Sequence, residues 1–165
     1  MTRENLSTGI SFLGLILFQT FVFNHINLFG YINPLVYVLF LVHYPFDKEQ
    51  TLFIFLGFAL GLGIDFLSQT GGAHTFATLI TAFIRPQIVR YAYGLTAELP
   101  TRFLNETRSF NNFLFLTFIL LIHHLLYFTV VYFSWNALGL ILKNTFSTAL
   151  FSLILIGIIS RFYRK

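Results

Sequence analysis

The chain has very few charged side chains and no cysteine. Asp, Glu, Lys and Arg make up 10% of its 165 residues, against about 25% in a soluble domain. A soluble protein of this size needs far more polar surface, so an ordinary soluble domain is excluded. The 56% of hydrophobic residues excludes intrinsic disorder. The absence of cysteine excludes disulfides, thiolate metal sites and a cysteine nucleophile.

The charges that are present are mostly cationic, with a net charge of +4. The ten Lys and Arg residues are scattered through apolar sequence, so they form no basic patch of the kind that binds nucleic acid. Scattered loop cations are instead typical of a membrane protein, in which they set the orientation.

Long apolar runs predict an all-α integral membrane protein, with about six transmembrane helices in one bundle and a single membrane domain. A helix that crosses about 30 Å of hydrocarbon needs roughly 20 apolar residues. The runs are continuously apolar, whereas the strands of a membrane barrel alternate. The predicted spans are residues 10–23, 31–44, 52–67, 74–93, 113–133 and 138–162.

The cations also predict the orientation. They lie before the first span, in or beside alternate loops and near the end of the chain: Arg3, Lys48, Arg90, Arg102, Arg108, Arg161, Arg164 and Lys165. The other loops, residues 24–30, 68–73 and 134–137, contain neither Lys nor Arg. The positive-inside rule therefore places both termini in the cytoplasm. The first run has a weak cationic flank and no small-residue cleavage site, so we expect no cleavable signal.

The third span carries small residues at helical spacing. Gly57 and Gly61 form one stripe, and Ala59 and Gly63 form a second one on another side. Such stripes let helix backbones approach closely in lipid. Asp65 lies one turn beyond Gly61, where an acid cannot face lipid cheaply. Two interpretations remain open: a packing helix whose Asp65 caps the following turn, or a contact with a partner or substrate.

Two cations lie inside predicted spans. Lys143 lies roughly 8 Å from the external end of the sixth span and Asp65 roughly 5 Å from that of the third, so we hypothesise an Asp65–Lys143 pair. Alternatively, Lys143 reaches the external headgroups. Arg85 precedes Pro86, which predicts that the fourth span kinks or ends there. Arg85 then either reaches inner-leaflet phosphates or lines a groove between helices.

The turns between the spans have their own signals. Pro34 begins the second span, where proline is tolerated, and Gly71 and Gly72 permit a left-handed reversal before the fourth span. His74 then starts the fourth span, where we expect it to bind a turn carbonyl.

No catalytic or metal-binding pattern is present. Adjacent His123 and His124 point about 100° apart on a helix, so they do not chelate one ion together, and we interpret them as buried, hydrogen-bonded histidines. The chain contains no H-E-x-x-H, no P-loop and no G-x-S-x-G elbow. We therefore predict no enzyme activity, no metal and no cofactor.

One part of the chain resembles a known family. Residues 33–40 (NPLVYVLF) and 44–47 (YPFD) resemble the second span and cytoplasmic loop of the rod shape-determining protein MreD family. Residues 57–65 (GFALGLGID), with Ser68 and residues 72–74 (GAH), are similar to its most characteristic stretch. Residues 82–86 (AFIRP) continue the similarity, which covers about residues 33–90.

The resemblance implies a multi-pass component of the bacterial inner membrane that takes part in cell elongation. Members of that family act with the bitopic protein MreC and the actin-like MreB on peptidoglycan synthesis by a glycosyltransferase and transpeptidase. They are adaptors, not enzymes. In this interpretation, grooves on the lipid-facing surface of the bundle hold the partner's transmembrane helix. The small-residue stripes, with Asp65 or Arg85, make that contact specific.

The same family is similar in outline to the six-helix substrate-binding subunits of energy-coupling-factor transporters. This supplies the alternative function, a vitamin-type binding subunit. The external loops of this chain are nearly empty of polar groups, which argues against that alternative because a small-molecule site needs several of them.

Overall fold

Six α-helices form the chain in a computed structural model that describes residues 3–94, Phe103 and residues 109–162, without the side chains of residues 3–8 and Arg161. The helices are α1 (Arg3–Phe21), α2 (Leu39–His43), α3 (Gln50–Ser68), α4 (Ala73–Tyr93), α5 (Ser109–Tyr132) and α6 (Leu138–Phe162). The described residues contain no strand, only one isolated bridge between Leu28 and Ile32. Arg102, Arg108, Arg164 and Lys165, which helped to predict the orientation, lie outside the described residues.

Three helical segments of the described chain are long and apolar enough to cross a membrane: Gln50–Ser68, Ser109–Tyr132 and Trp135–Ser160. A shorter apolar helix covers Gly9–His25. Helix α4 is also long, since its 21 residues span about 31 Å, but it carries several polar side chains that the bundle buries. The described residues thus form an all-helical fold that includes helices long and apolar enough for a membrane, as predicted.

The second predicted span differs from a transmembrane helix. Within residues 31–44 only a 3₁₀ turn (Val36–Val38) and the five-residue α2 are helical. Prolines explain why the helical part is short at both ends. Pro34 donates no backbone hydrogen bond at its start, and Tyr44, which precedes Pro45, is extended with ψ 133° at its end. Eight helical residues cover only about 12 Å, so the prediction of a continuous helix over residues 31–44 was wrong.

This broken segment, residues 32–44, lies at the centre of the bundle. All seven residues from Val36 to Val42 are at most 7% exposed. Helix α3 packs on α1 and α4, α5 packs on α4 and α6, and the broken segment contacts α1, α4, α5 and α6. Irregular backbone is tolerated at membrane depth only where protein covers it and satisfies its polar groups. This arrangement provides that cover.

Glycines allow α3 to lie close against α4. A Cβ atom built on Gly61 would lie 2.5 Å from the Thr75 Cα atom and 2.7 Å from the His74 carbonyl oxygen. A Cβ on Gly57 would lie 3.1 Å from that of Ala82, and one on Gly63 would lie 3.0 Å from the Ile16 Cδ1 atom of α1. Both predicted stripes therefore pack within the chain, α3 being contacted on two sides.

Helix α4 continues through Pro86 to Tyr93, so of the two alternatives predicted at Arg85, a kink or an end, the end is excluded. A proline leaves the carbonyl four residues earlier without its helical donor. Here that carbonyl belongs to Ala82, and the Gln50 Nε2 atom donates to it at 2.8 Å. A side chain from the start of α3 thus replaces the missing backbone bond, as neighbouring helices do in membrane proteins.

The turn between α3 and α4 reverses through left-handed backbone. Gly71 and Gly72 have φ values of 64° and 92°, which confirms their predicted role. Gln69 is also left-handed, with φ 54°, and ends α3.

Candidate functional site

A fully buried glutamine of α1 binds the irregular backbone of the broken segment. The Gln19 Oε1 atom accepts hydrogen bonds from the N–H groups of Val36 (2.8 Å) and Tyr37 (3.3 Å). Its Nε2 atom donates to the Pro34 carbonyl at 3.2 Å. Gln19 has 0% exposure. Its amide thus replaces water as the hydrogen-bond partner of three backbone groups that have no helical partner.

The same amide continues into a polar chain that runs to the end of α3. Gln19 Nε2 also donates to Asn24 Oδ1 at 2.8 Å, and Asn24 Nδ2 donates to Ser68 Oγ at 2.8 Å. The chain joins α1, the loop after it and α3 on the side of the uncharged loops.

A tyrosine of the broken segment lies between two buried histidines. The Tyr37 hydroxyl is 2.7 Å from His74 Nδ1 and 3.0 Å from His123 Nε2. The three residues are at most 1% exposed. A hydroxyl has a single hydrogen, so Tyr37 donates to one ring and accepts from the other. His74 therefore binds a side chain of the broken segment, and the prediction that it binds a turn carbonyl was wrong.

The second histidine of α5 is linked to the same end of the broken segment through Ser152 of α6. His124 Nδ1 bonds to the Leu120 carbonyl at 2.7 Å, and His124 Nε2 lies 3.1 Å from Ser152 Oγ. Ser152 Oγ also accepts from the Leu35 N–H at 3.1 Å. Both ring nitrogens of His124 are thus used, as predicted for a buried histidine.

This cluster is not a metal centre. The described residues contain no group of three His, Asp or Glu side chains that could hold an ion. His74 Nε2 and His123 Nδ1 are buried without a partner, but the other nitrogen of each ring is bound to the same tyrosine hydroxyl. The arrangement orients Tyr37 and supplies no ligand set.

Asp65 caps the start of α4. Its Oδ1 atom accepts from the Thr70 hydroxyl (2.5 Å) and the His74 N–H (3.1 Å). Its Oδ2 atom accepts from the Thr75 N–H (2.7 Å) and hydroxyl (2.6 Å). A carboxylate is favourable at the positive end of a helix, and Gly72, which precedes α4, has no side chain to cap it. The capping interpretation of Asp65 is thus confirmed.

Lys143 does not pair with Asp65. Its Nζ atom lies 4.4 Å from the centre of the Tyr31 ring, a cation–π contact. Four donors of the α3–α4 turn already occupy the Asp65 oxygens. The hypothesis of an Asp65–Lys143 pair was wrong, because a match in depth does not bring two side chains to the same side of the bundle.

Arg85 lies inside the bundle, with 4% exposure, so the interpretation that it reaches lipid phosphates was wrong. Its Nη2 atom donates to the carbonyls of Tyr44 and of Val42, the latter at 3.4 Å. Its guanidinium lies 4.5 Å from the centre of the Phe46 ring and 4.6 Å from that of Phe53. It therefore caps the end of α2 from between the helices and stacks on aromatic faces, which a guanidinium does well.

A cavity of about 560 Å³ opens beside the polar chain, on the side of the uncharged loops. Helix ends and the loop after α1 line it. The lining comprises four aromatic rings, two carboxamides, three hydroxyl side chains, one imidazole and two leucines: Phe21, Tyr31, Tyr127, Phe128, Asn24, Asn33, Thr20, Ser68, Thr70, His25, Leu35 and Leu67. The expectation that this side offers few polar groups was wrong, because Asn24, His25, Ser68 and Thr70 of the predicted loops meet polar side chains of α1 and of the chain before α2 in one cavity.

Tyr127 connects the cavity with the buried histidines. Its ring centre lies 4.6 Å from that of His74, and Leu35 of the cavity lining donates its N–H to Ser152. The cavity, the broken segment and the histidine cluster thus form one continuous polar region on the side of the uncharged loops.

The predicted site residues divide into two groups. Gly57, Gly61, Gly63, Asp65 and Arg85 pack within the chain, whereas Lys143 is exposed. The partner-contact interpretation therefore has no support at the glycine stripes, Asp65 or Arg85. The residues that build the polar region, above all Gln19, Tyr37, Gln50 and Ser152, were not predicted. Gln19, in the first predicted span, was a usable signal, since polar residues at membrane depth are costly and usually functional.

The chain matches no family model, no curated protein and no solved structure.

Proposed function

We propose that this chain is a membrane scaffold of the bacterial cell-elongation machinery, which helps to maintain rod shape by linking MreC and the MreB cytoskeleton to peptidoglycan synthesis. It has no catalytic role. In this proposal the chain is a multi-pass protein of the inner membrane with both termini in the cytoplasm and six crossings, the second made by the broken segment. Its architecture is similar in outline to the binding subunits of energy-coupling-factor transporters.

The observation that carries the proposal is the sequence resemblance over residues 33–90. The side chains of that stretch with unusual roles are Tyr37 between two histidines, Asp65 at the start of α4, and Arg85 at the end of α2. They support the proposal because they give residues of the resembling motifs a common task, the assembly of the bundle centre.

A bitopic partner would have to bind a surface that lipid otherwise covers. Helix α6 offers such a surface, because large apolar side chains recur on it every four residues and are 45–77% exposed: Leu138, Leu142, Phe146, Leu150, Ile154, Ile158 and Phe162. Side chains four residues apart are neighbours on a helix surface, so the series forms a continuous stripe, which winds around α6 because each step of four residues adds about 40°. From Phe146 to Ile158 the sequence of α6 contains no Asp, Glu, Lys or Arg, so this part of the stripe carries no charge that would penalise contact with a second apolar helix.

Depletion of the chain in its own host tests the function. We expect rod-shaped cells to become round, and a wild-type copy supplied in trans to restore rods. Normal rods after complete depletion would contradict the scaffold function.

Disulfide scanning tests the partner contact. The chain has no cysteine, so each introduced cysteine reports a single position. We expect Leu150→Cys and Ile154→Cys to form disulfides with cysteines placed in the MreC transmembrane helix, whereas Phe83→Cys on α4, exposed to 62%, serves as the matched control. Equal cross-linking at all three positions would exclude α6 as the contact surface.

A second candidate function is the small-molecule binding subunit of a transporter, and the cavity of about 560 Å³ favours it, since ligand sites have about 300–1,000 Å³. This candidate predicts that a vitamin-like compound co-purifies with the chain and raises its unfolding temperature. It also predicts that depletion leaves cell shape unchanged, which separates it from the scaffold.

A further inference from the structure

We infer that the cavity on the side of the uncharged loops binds an uncharged, hydroxyl-bearing ring of the sugar class, supplied either as a free saccharide or as the headgroup of a glycolipid. The inference stands on the chemistry of the cavity and does not rest on the scaffold function.

The first observation is that the cavity lining contains no Asp, Glu, Lys or Arg. A phosphate or carboxylate ligand would need a cation to offset its loss of water, and an ammonium would need a carboxylate. Lys143 contacts the Tyr31 ring but is not in the lining, and donors of its own turn occupy Asp65. The site therefore favours a neutral ligand.

The second observation is an unused hydroxyl in the lining. Thr20 is 5% exposed, and its Oγ1 atom has no hydrogen-bond partner among the described residues. A buried polar group without a partner costs about 1–3 kcal/mol, so a ligand that enters the cavity, displaces the side chains over this hydroxyl and supplies the partner gains that energy.

The third observation is the mixture of groups. Asn24 and Asn33 present amides that both donate and accept, and hydroxyl groups do the same. A ligand that matches them must also donate and accept at several points, as the edge of a sugar ring does. The faces of Tyr31 and Tyr127 offer flat apolar surfaces for the C–H faces of such a ring. Amides with flat aromatic faces thus fit a saccharide better than a purely apolar lipid chain.

Hydrogen bonds to neighbouring side chains hold the residues of the cavity lining in place before any ligand binds. Asn24 is fixed by Gln19 and Ser68, Asn33 by its mutual bonds with Asn27, and Thr70 by Asp65. A lining that is already ordered loses little conformational freedom on binding. This preorganisation is a property of a binding site and not of a gap between helices.

The test uses the full chain in phosphatidylcholine nanodiscs, prepared without sugar-headed detergent. The probes are free maltose and, separately, a glucosyl diacylglycerol incorporated in the nanodisc; unglycosylated diacylglycerol is the control for the acyl chains.

Native mass spectrometry counts bound molecules and thermal unfolding measures stabilisation. We expect one bound sugar per chain and an unfolding midpoint raised by several degrees. Maltose binding indicates the free saccharide as the source, and binding of the glucolipid alone indicates the headgroup.

Two substitutions connect the binding to the cavity. Thr20→Val replaces the unused hydroxyl with a methyl group of similar shape, so the unliganded chain keeps its stability while affinity for the sugar falls about three- to tenfold. Leu67→Trp fills the cavity and should abolish binding. Thr148→Val is the matched control, because Thr148 is equally buried and without a partner but lies outside the lining; its affinity should be unchanged.

The inference is overturned if neither sugar probe binds, if anionic lipid competes the sugar away, or if Thr148→Val weakens binding as much as Thr20→Val. None of these results bears on cell shape after depletion or on cross-linking to MreC, so failure here is distinguishable from failure of the scaffold function.

Discussion

Gln50 donates to the carbonyl oxygen of Ala82 at 2.8 Å, and this is the carbonyl that Pro86 leaves without a helical donor. The glutamine stands at the first residue of α3 and the proline lies within α4. One side-chain bond therefore lets a proline remain inside a long helix and joins the first residue of α3 to the middle of α4.

This relationship predicts a dependence between two substitutions. Gln50→Leu should lower the free energy of unfolding by about 1–3 kcal/mol, because a buried carbonyl loses its donor. In a Pro86→Ala background the alanine N–H can serve that carbonyl, so the same Gln50→Leu change should cost less than about 0.5 kcal/mol. Unfolding in mixed micelles with increasing SDS measures all four variants. Equal costs in the two backgrounds would disprove the replacement of the backbone bond.

The glycines of α3 predict a graded series. Gly61→Ala should prevent the close approach of α3 and α4, since its Cβ would overlap the backbone of Thr75 and His74, and we expect a loss of more than about 3 kcal/mol or failure to fold. Gly63→Ala meets only the flexible end of Ile16 and should cost about 1 kcal/mol or less. Gly139→Ala has open space around it and should be neutral or stabilising by up to about 1 kcal/mol.

Thermal unfolding followed by size-exclusion fluorescence ranks the three variants. A Gly61→Ala protein as stable as wild type would mean that α3 and α4 do not pack as described.

Arg85 predicts that lysine is not an adequate replacement. An ammonium can reach one carbonyl, but it lacks the planar fork that also stacks on Phe46 and Phe53. We expect Arg85→Lys to lose about 2 kcal/mol of unfolding free energy and Arg85→Ala more. Arg90→Lys is the control, because Arg90 is an exposed arginine of the same helix. If Arg85 instead served to bind lipid phosphates, lysine would substitute without loss.

Asp65 and Lys143 predict additive effects. Asp65→Asn should destabilise the start of α4 by about 1–2 kcal/mol, since the charge that favours the helix N-terminus is lost. Lys143→Met should change stability by less than about 0.5 kcal/mol, as expected of an exposed cation. The double variant should equal the sum of the two. A coupling of about 1 kcal/mol or more in the double-mutant cycle would instead support an Asp65–Lys143 ion pair.

Part of the fold could be predicted because it depends on local composition. The span boundaries 52–67 and 74–93 lie within two residues of α3 and α4, since continuous apolar residues need a helix to satisfy the backbone in lipid. The left-handed turn at Gly71 and Gly72 and the capping role of Asp65 are also local, because a nine- or ten-residue separation joins Asp65 to the start of α4.

The sequence by itself thus determined the all-helical class, the long apolar helices and the tight α3–α4 turn, because a scarcity of charge and an apolar run act on each segment separately. The tertiary structure alone decided that residues 32–44 form a broken segment at the centre, and that Gln19, Ser152 and Arg85 serve its backbone. These bonds join residues 17, 117 and 41 positions apart. Their energy depends on which helices become neighbours, and no local pattern encodes that. The uncharged cavity arises in the same way, from helix ends and loops that meet only after the bundle has assembled.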